Sequence, residues 1–259
     1  MPYLIYDGSF EGFLSAVFHC YQQKITPSDI CKESNFQEVL FAAKETIITN
    51  EQQAGRVWKG LQQKLHQRNK ELLFTAFLSE KTNIEMMLYR FIRRLFDTNF
   101  SIETDYGDTD VLQLKKVERK VLQEASRMLQ FVRFQKTKDE IYFAPIEPAF
   151  DVLPMTIHHF KDRFADQQWL IYDLKRDYGF HYDLKTVQEV TLENKSFSKY
   201  DGKLKTDLLQ ESEVNYQTLW KNYFESINIK ERRNLKVQRQ HMPQRYWKFL
   251  PEKSPRMNS

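Results

Sequence analysis

The segment FVRFQKTKDEIYFA, residues 131–144, marks the point where the hydrophobic pattern of this chain changes from helical to strand-like. Its two ends, Phe131–Phe134 and Ile141–Ala144, are short runs of aromatic and β-branched residues, which favour strands. The polar stretch Lys136–Asp139 lies between them, so the segment predicts a β-hairpin. We therefore expect sheet structure in the C-terminal half of the chain.

The residues that follow predict a second hairpin and one more strand. Trp169–Tyr172 and Phe180–Tyr182 flank a turn at Asp177–Gly179, and Val187–Leu192 has strand composition. Between the two hairpins, Pro154–Phe164 predicts a helix that begins at its proline. Because the connections within the hairpins are short, we expect the strands to pair in antiparallel fashion.

Upstream of residue 131 the pattern predicts mostly helices. Tyr3–Tyr6 is a short predicted strand, and a helix follows with Ser9 as its N-cap. Apolar residues at spacings of three and four then predict helices at residues 51–65, 69–78, 83–96 and 114–128. A last helix carries, on one side, Leu209, Ser212, Tyr216, Leu219 and Tyr223.

These elements predict an α+β fold, in which a helix-rich N-terminal half is followed by an antiparallel sheet built from the hairpins of the C-terminal half. We expect residues 1–229 to form a single α+β domain, with a division into a helical lobe at 1–128 and a mixed lobe at 129–229 as the alternative. Residues 230–259 are predicted to form a basic, aromatic C-terminal segment.

Composition restricts the class of protein further. The 259 residues are 41% hydrophobic, which is ample material for a packed core. No run of about 18 apolar residues and no signal-peptide pattern occurs, so we expect a soluble, cytoplasmic protein without membrane contact. The two cysteines, Cys20 and Cys31, are too few for a four-thiolate site, and we predict no cofactor.

The positive charge of the chain is concentrated near its end. Residues 230–248 contain seven Lys or Arg and one Glu, a local charge of +6, whereas the whole chain carries +4. Such a cluster predicts an anionic partner, and nucleic acid is favoured because nearby aromatic rings can stack on bases. The predicted nucleic-acid-binding residues are Arg232, Arg233, Lys236, Arg239, Arg245 and Trp247. The alternative is a solvated basic face whose aromatic residues, Tyr246 and Trp247, dock on the domain.

Two other motifs have both a functional and a structural interpretation. On the predicted helix, His158 and Asp162 lie four residues apart, a spacing that suits proton transfer but also stabilises a surface helix; His159 lies beside them. Tyr6–Gly12 could cradle a phosphate with its backbone amides, but a turn followed by a helix cap explains the same residues.

Several segments together resemble a bacterial family called domain of unknown function 4130. They are YDGSFEGFL at 6–14, MLQFVRF at 128–134, His159-Phe160 with Arg163-Phe164, Trp169–Ile171 with Asp173, ERRN at 231–234 and MPQRYWK at 242–248. The resemblance implies a protein of DNA metabolism that accompanies a radical S-adenosylmethionine protein of DNA modification or repair. As the resemblance further implies, the family's domain is joined in some bacteria to a uracil-DNA-glycosylase-like domain. Two positions depart from the family pattern: Ser126 stands where a histidine is frequent, and Gln244 where a basic residue is common.

The resemblance assigns no active site, so three hypotheses stay open. The leading one is a nucleic-acid-binding accessory to the radical S-adenosylmethionine partner, with DNA as the nucleic acid. The second is an enzyme acting on a nucleic-acid base or strand, with His158, His159 and Asp162 as its proton-transfer groups. The third is a protein-interaction module whose basic end meets an acidic surface.

Overall fold

The computed structural model describes residues 1–38, 42–193, 195, 197–198, 200–226 and 234–253. Helix and sheet are both present, as the α+β prediction requires. The chain divides into two compact units, Met1–Leu122 and Gln123–Ser259, hereafter unit 1 and unit 2. None of the described helices is both long and apolar enough to cross a membrane.

Unit 1 contains a three-stranded parallel sheet of β1 (Tyr3–Tyr6), β2 (Asp29–Lys32) and β3 (Lys44–Thr46), with β1 in the middle. The prediction of a mostly helical first half missed β2 and β3. Both are short: β2 fully buries one side chain of four, and β3 buries none of its three. Such strands show no alternation of apolar and polar residues, which is the signal that sequence analysis uses.

Each helix predicted for unit 1 is present, although the one predicted at 69–78 is shorter and the one predicted at 114–128 begins five residues earlier. They are α1 (Phe10–Gln23), α2 (Glu51–Lys64), α3 (Leu72–Phe77), α4 (Ile84–Asp97) and the start of α5 (Thr109–Phe131). Their apolar sides form a core in which aromatic rings meet, such as Phe10 with Phe77 at 5.2 Å between centroids.

The turn between β1 and α1 has the capping geometry predicted for it. Ser9 Oγ accepts a hydrogen bond from the Gly12 amide at 2.9 Å, while Asp7 accepts from Ser9 and from the Thr49 hydroxyl. A Cβ on Gly12 would lie 2.3 Å from an Asp7 carboxylate oxygen, so this close approach requires glycine. These contacts favour the turn-and-cap interpretation of Tyr6–Gly12.

Unit 2 is built on a five-stranded sheet in the order β4-β5-β6-β7-β8. The strands are β4 (Gln135–Lys136), β5 (Tyr142–Ile146), β6 (Trp169–Asp173), β7 (Tyr178–Tyr182) and β8 (Val187–Val190). Neighbours pair antiparallel, as expected, except that β5 and β6 are parallel. Helix α6 (Leu153–Arg163) connects those two strands, and a helical crossover is the usual connection between parallel neighbours.

The first predicted hairpin forms, but its first strand is displaced. Helix α5 continues to Phe131, and β4 begins only at Gln135. The aromatic run that suggested a strand serves core packing instead: Phe131 packs on Tyr246 at 5.5 Å and Phe134 on Phe164 at 5.2 Å between ring centroids. Aromatic composition alone does not separate these two uses.

The remaining α-helices of unit 2 in the described residues are α7 (Glu211–Ser226) and α8 (Leu235–His241), and a 3-10 helix follows at Gln244–Phe249. The side of α7 that carries Tyr216, Leu219 and Tyr223 is exposed to solvent rather than packed in the core. The loop Glu147–Val152 follows the carboxyl end of β5 and precedes α6.

Candidate nucleic-acid interface

The C-terminal segment, defined here as residues 234–253, is attached to unit 2 through its aromatic and apolar residues. Tyr246 is almost completely buried and packs against Phe131 of α5, and Leu250 is fully buried. Burial of a large aromatic ring of this kind stabilises a terminal segment by about 1.5 to 3 kcal/mol. The segment is therefore held in a defined position rather than trailing from the domain.

A buried carboxylate, Glu124, completes this attachment. The Arg245 guanidinium donates to Glu124 and to the Tyr246 hydroxyl, and Arg127 approaches the same carboxylate at 3.5 Å. The Ala149 amide donates to its other oxygen at 2.7 Å. Burial acts to raise the pKa of Glu124, but the hydrogen bonds from Tyr246, Ala149 and Arg245 outweigh it and leave the pKa below its ordinary value. Arg245 thus uses its charge within the fold.

Trp247 also makes contacts within its own segment. Its indole nitrogen donates to the Met242 carbonyl at 3.0 Å, and the Lys253 ammonium lies 5.1 Å from its ring centroid. The ring is only partly exposed. These contacts favour the docking alternative over base stacking for Trp247.

The other cations of the segment differ in whether they form an ion pair. Lys248 forms an ion pair with Glu147. Lys236 and Arg239 are exposed on α8, three residues apart and so on one face, and no carboxylate in the described part of the chain pairs with either. Asn234 caps the helix by accepting from the Val237 amide at 3.1 Å. Arg232 and Arg233 lie outside the described residues.

A second set of exposed cations lies on α5 within unit 1. Lys116, Arg119 and Lys120 project from one face of the helix, and none of them pairs with a carboxylate among the described residues. The sequence analysis did not select them, because acidic residues lie between and beside them in the linear sequence, which therefore shows no cluster of positive charge. A helical projection of residues 109–131 would have shown it.

The three candidate proton-transfer residues are all exposed on α6. No hydrogen bond joins His158 to Asp162 in the described structure, and the His159 ring packs on Phe160 at 5.8 Å. Ser126, one of the two positions that depart from the pattern in the resemblance, is exposed on α5 and accepts a hydrogen bond from Gln130 at 3.3 Å. The structure does not bring these residues together into one site.

Charged residues that the sequence did not identify as a site meet at the carboxyl ends of β5 and β6. Asp173 is fully buried and pairs with Arg176 at 2.7 Å, and Arg176 also donates to the Pro148 carbonyl at 3.3 Å. Burial raises the pKa of Asp173 in spite of the adjacent guanidinium. The Tyr178 hydroxyl donates to Asp151, which lies in the same loop as Pro148. Burial raises the pKa of Tyr178 as well. This network fixes the loop Glu147–Val152 on which Glu124 and Lys248 also depend.

Neither cysteine is in a reactive environment. Cys20 is buried and Cys31 partly buried, and in each case burial raises the thiol pKa to about 11. Both are therefore protonated at neutral pH, and the protonated thiol is a poor nucleophile and a poor metal ligand. Among the described residues, no three His, Cys, Asp or Glu side chains are grouped so that they could hold a metal ion.

Fold and site together define an α+β protein with a basic C-terminal segment that is docked on its own sheet unit. The sequence profile of the DUF4130 family, described as a domain of unknown function, matches residues 82–252, about two thirds of the chain. The chain therefore belongs to the DUF4130 family. The match leaves out the opening segment 6–14, which had been part of the resemblance. No curated protein and no solved structure matches the chain.

Proposed function

We propose that this protein binds nucleic acid, with DNA as the expected ligand, as an accessory in DNA metabolism or repair. The observation that carries the proposal is that Lys236 and Arg239 are exposed on one helix and that no carboxylate of the described residues pairs with them, in a segment attached to unit 2 through other residues. Membership of the DUF4130 family is compatible with this role and assigns no other.

The arrangement separates attachment from charge presentation. Tyr246 and Arg245 hold the segment on unit 2, so their contacts are directed inward. Lys236 and Arg239 face solvent, where phosphate groups can displace their counterions. A helix that is already formed and adjoins an attached stretch of chain loses less conformational entropy on binding than a free tail would. The three exposed cations of α5 are a further positive surface that supports the same ligand class.

Replacing Lys236 and Arg239 together with glutamine tests this proposal. We expect DNA affinity to fall and the slope of log affinity against log salt concentration to flatten by about 1.4 to 1.8, because each of the two lost phosphate contacts contributes about 0.7 to 0.9. Fluorescence anisotropy with a labelled DNA between 50 and 200 mM salt measures both quantities. Arg245→Gln is not suitable here, since it would also remove the Glu124 ion pair.

The matched control is Lys138→Gln with Lys185→Gln, which removes the same charge from exposed positions of unit 2. The control should keep nearly the parental slope. Equal slopes in the parent and the Lys236→Gln/Arg239→Gln variant would contradict the proposal. DNA binding and docking on an acidic protein both weaken as salt concentration rises, so salt dependence does not separate them. Competition by unrelated DNA does, because it displaces bound DNA but not an acidic protein partner.

We also propose that the protein works with a radical S-adenosylmethionine partner that supplies the iron–sulfur chemistry. Cys20 and Cys31 are two thiols held in their protonated form, whereas a four-iron cluster is normally held by several thiolates. Purified alone under anaerobic conditions, the chain is expected to contain no stoichiometric iron, as measured by elemental analysis. Its complex with the partner should contain iron. A four-iron cluster in the isolated chain would contradict this division of roles.

A further inference from the structure

Helix α7 presents a row of large side chains to solvent. Tyr216 is 65% exposed, Trp220 40% and Tyr223 55%, and Leu219 lies among them with similar exposure. Their spacings of three and four residues place them along one side of the helix. Aromatic side chains usually contribute to a core or an interface, so a row of exposed rings indicates a binding surface.

The orientation of the central ring is fixed by neighbouring residues. The Trp220 indole nitrogen donates to Glu252 at 3.0 Å, and Arg133 donates to the other oxygen of the same carboxylate at 2.9 Å. The Arg133 guanidinium lies 5.8 Å from the Trp220 ring centroid, and the Tyr223 ring lies 5.8 Å away on the helix. Glu252 belongs to the C-terminal segment, so docking of that segment also sets the position of Trp220.

No acidic residue interrupts the row of rings, and Glu225 follows only two residues after Tyr223. From residue 214 to residue 223 the helix contains no acidic residue, and Lys221 is its one charged residue. Asn215 and Asn222 are exposed beside the rings and can exchange hydrogen bonds with base edges. The nearest acidic residue toward the start of the helix, Glu213, is buried, where it accepts from the Lys136 amide at 3.2 Å and from Gln217 at 2.9 Å.

We infer that this face of α7 binds single-stranded nucleic acid by stacking bases on Tyr216, Trp220 and Tyr223. The inference rests on the proposed function and specifies its ligand. Exposed aromatic rings on which successive bases stack are one means by which proteins hold single strands without reading their sequence. A duplex does not offer its base faces for such stacking, so the surface selects the single strand. We therefore assign base stacking to these residues rather than to Trp247, because the Trp247 indole nitrogen donates to the Met242 carbonyl within its own segment.

The test compares Tyr223→Ser with Tyr106→Ser, because Tyr106 of unit 1 is 56% exposed, almost the same as Tyr223. Affinity for an oligothymidylate should fall about 5- to 150-fold in Tyr223→Ser, the range that corresponds to one lost base stack. Tyr106→Ser and Tyr223→Phe, which keeps the ring, should bind like the parent. Affinity for a duplex should change little in all three variants.

The double variant Tyr216→Ser/Tyr223→Ser extends the test. It should lose single-strand affinity further while its urea unfolding transition stays at the parental midpoint, since both side chains are largely exposed. Parental oligothymidylate affinity in this variant, with duplex binding intact, would overturn the inference and leave the proposed function standing. A parent protein that binds no nucleic acid would overturn both.

A second copy of the chain is the other occupant that an aromatic face could take. Analytical ultracentrifugation of the parent and the double variant decides this point. Self-association that is lost in the double variant, together with unchanged oligothymidylate affinity, would assign the face to a dimer and overturn the inference. Monomeric behaviour of the parent, with the affinity loss described above, supports it.

Discussion

Glu124→Gln is expected to lower the free energy of unfolding of unit 2 by about 2 to 4 kcal/mol, because removing one member of a buried ion pair leaves its partners without compensation. The substitution keeps the side-chain volume but leaves Arg245 and Arg127 facing each other across a neutral amide. Urea unfolding followed by tryptophan fluorescence measures the change. Three of the four tryptophans, Trp169, Trp220 and Trp247, lie in unit 2.

The control for this variant is Glu140→Gln, which removes a carboxylate of the same unit that is paired with Lys136 but mostly exposed. An exposed pair contributes about 0 to 1 kcal/mol, so the control should change stability little. Parental stability in Glu124→Gln would show that the C-terminal segment does not depend on this carboxylate.

The effect of Glu124→Gln should also depend on pH. The pKa of Glu124 is lowered in the folded protein, so its contribution to stability is complete above the unfolded value of about 4.3. That contribution is lost as pH falls through the folded pKa, where the carboxylate becomes protonated. The difference between parent and variant should therefore be full at pH 7 and should shrink in strongly acidic buffer. A difference that is independent of pH would point to packing rather than charge.

Arg176→Met is expected to have the largest effect, about 3 to 5 kcal/mol near neutral pH, because it leaves a fully buried carboxylate without its cation. Arg176 pairs with Asp173 at 2.7 Å and also donates to the carbonyls of Pro148 and Ala149. The loop Glu147–Val152 should loosen together with the loss of stability. Urea unfolding at pH 8 measures the change, with Lys203→Met as a control that breaks a more exposed pair with Asp201.

Acidic pH should partly restore the stability of Arg176→Met. Burial already raises the pKa of Asp173, and removing Arg176 takes away a group that lowers it. A carboxyl whose folded pKa exceeds its unfolded pKa binds a proton more tightly when folded, so stability falls as pH rises between the two values. The loss relative to the parent should be smaller at pH 5 than at pH 8. Equal losses at the two pH values would indicate that the missing carbonyl contacts, rather than the unpaired charge, cause the destabilisation.

The two proposed contacts with nucleic acid come from different elements of unit 2. Lys236 and Arg239 on α8 supply charge, and Tyr216 and Tyr223 on α7 supply flat surfaces. Salt dependence reports on the first pair and strand selectivity on the second. The variants proposed above therefore separate the two contributions.

The elements that sequence analysis found are those whose local pattern is strong. The helices α2, α4 and α6 and the hairpin of β6 and β7 agree with prediction within one or two residues, because their periodicity or turn residues are unambiguous. Strands β2 and β3 were missed because they are short and lack alternation. The parallel pairing of β5 and β6 was also missed, although the intervening helix was predicted and could have indicated it.

The candidate site was predictable in part. Its basic and aromatic composition is visible in the sequence. Whether each cation pairs with a carboxylate or faces solvent is not. Arg245 and Lys248 are near Lys236 and Arg239 in sequence, yet their carboxylate partners, Glu124 and Glu147, are about a hundred residues away. One signal was available: Glu124 interrupts the apolar stripe of α5, and a carboxylate in such a position requires a buried partner.

The sequence by itself determined the α+β class, most helices, the concentration of positive charge near residues 230–248 and the cap at Ser9, because each depends on neighbours within a few residues. Only the tertiary structure decided which cations are neutralised, that Trp247 turns toward its own segment and that the rings of α7 remain exposed. Those outcomes depend on which distant groups share a buried volume. A carboxylate in the interior needs a cationic partner, and that partner is an arginine close in space but distant in sequence. The residues next to the carboxylate in sequence do not identify it.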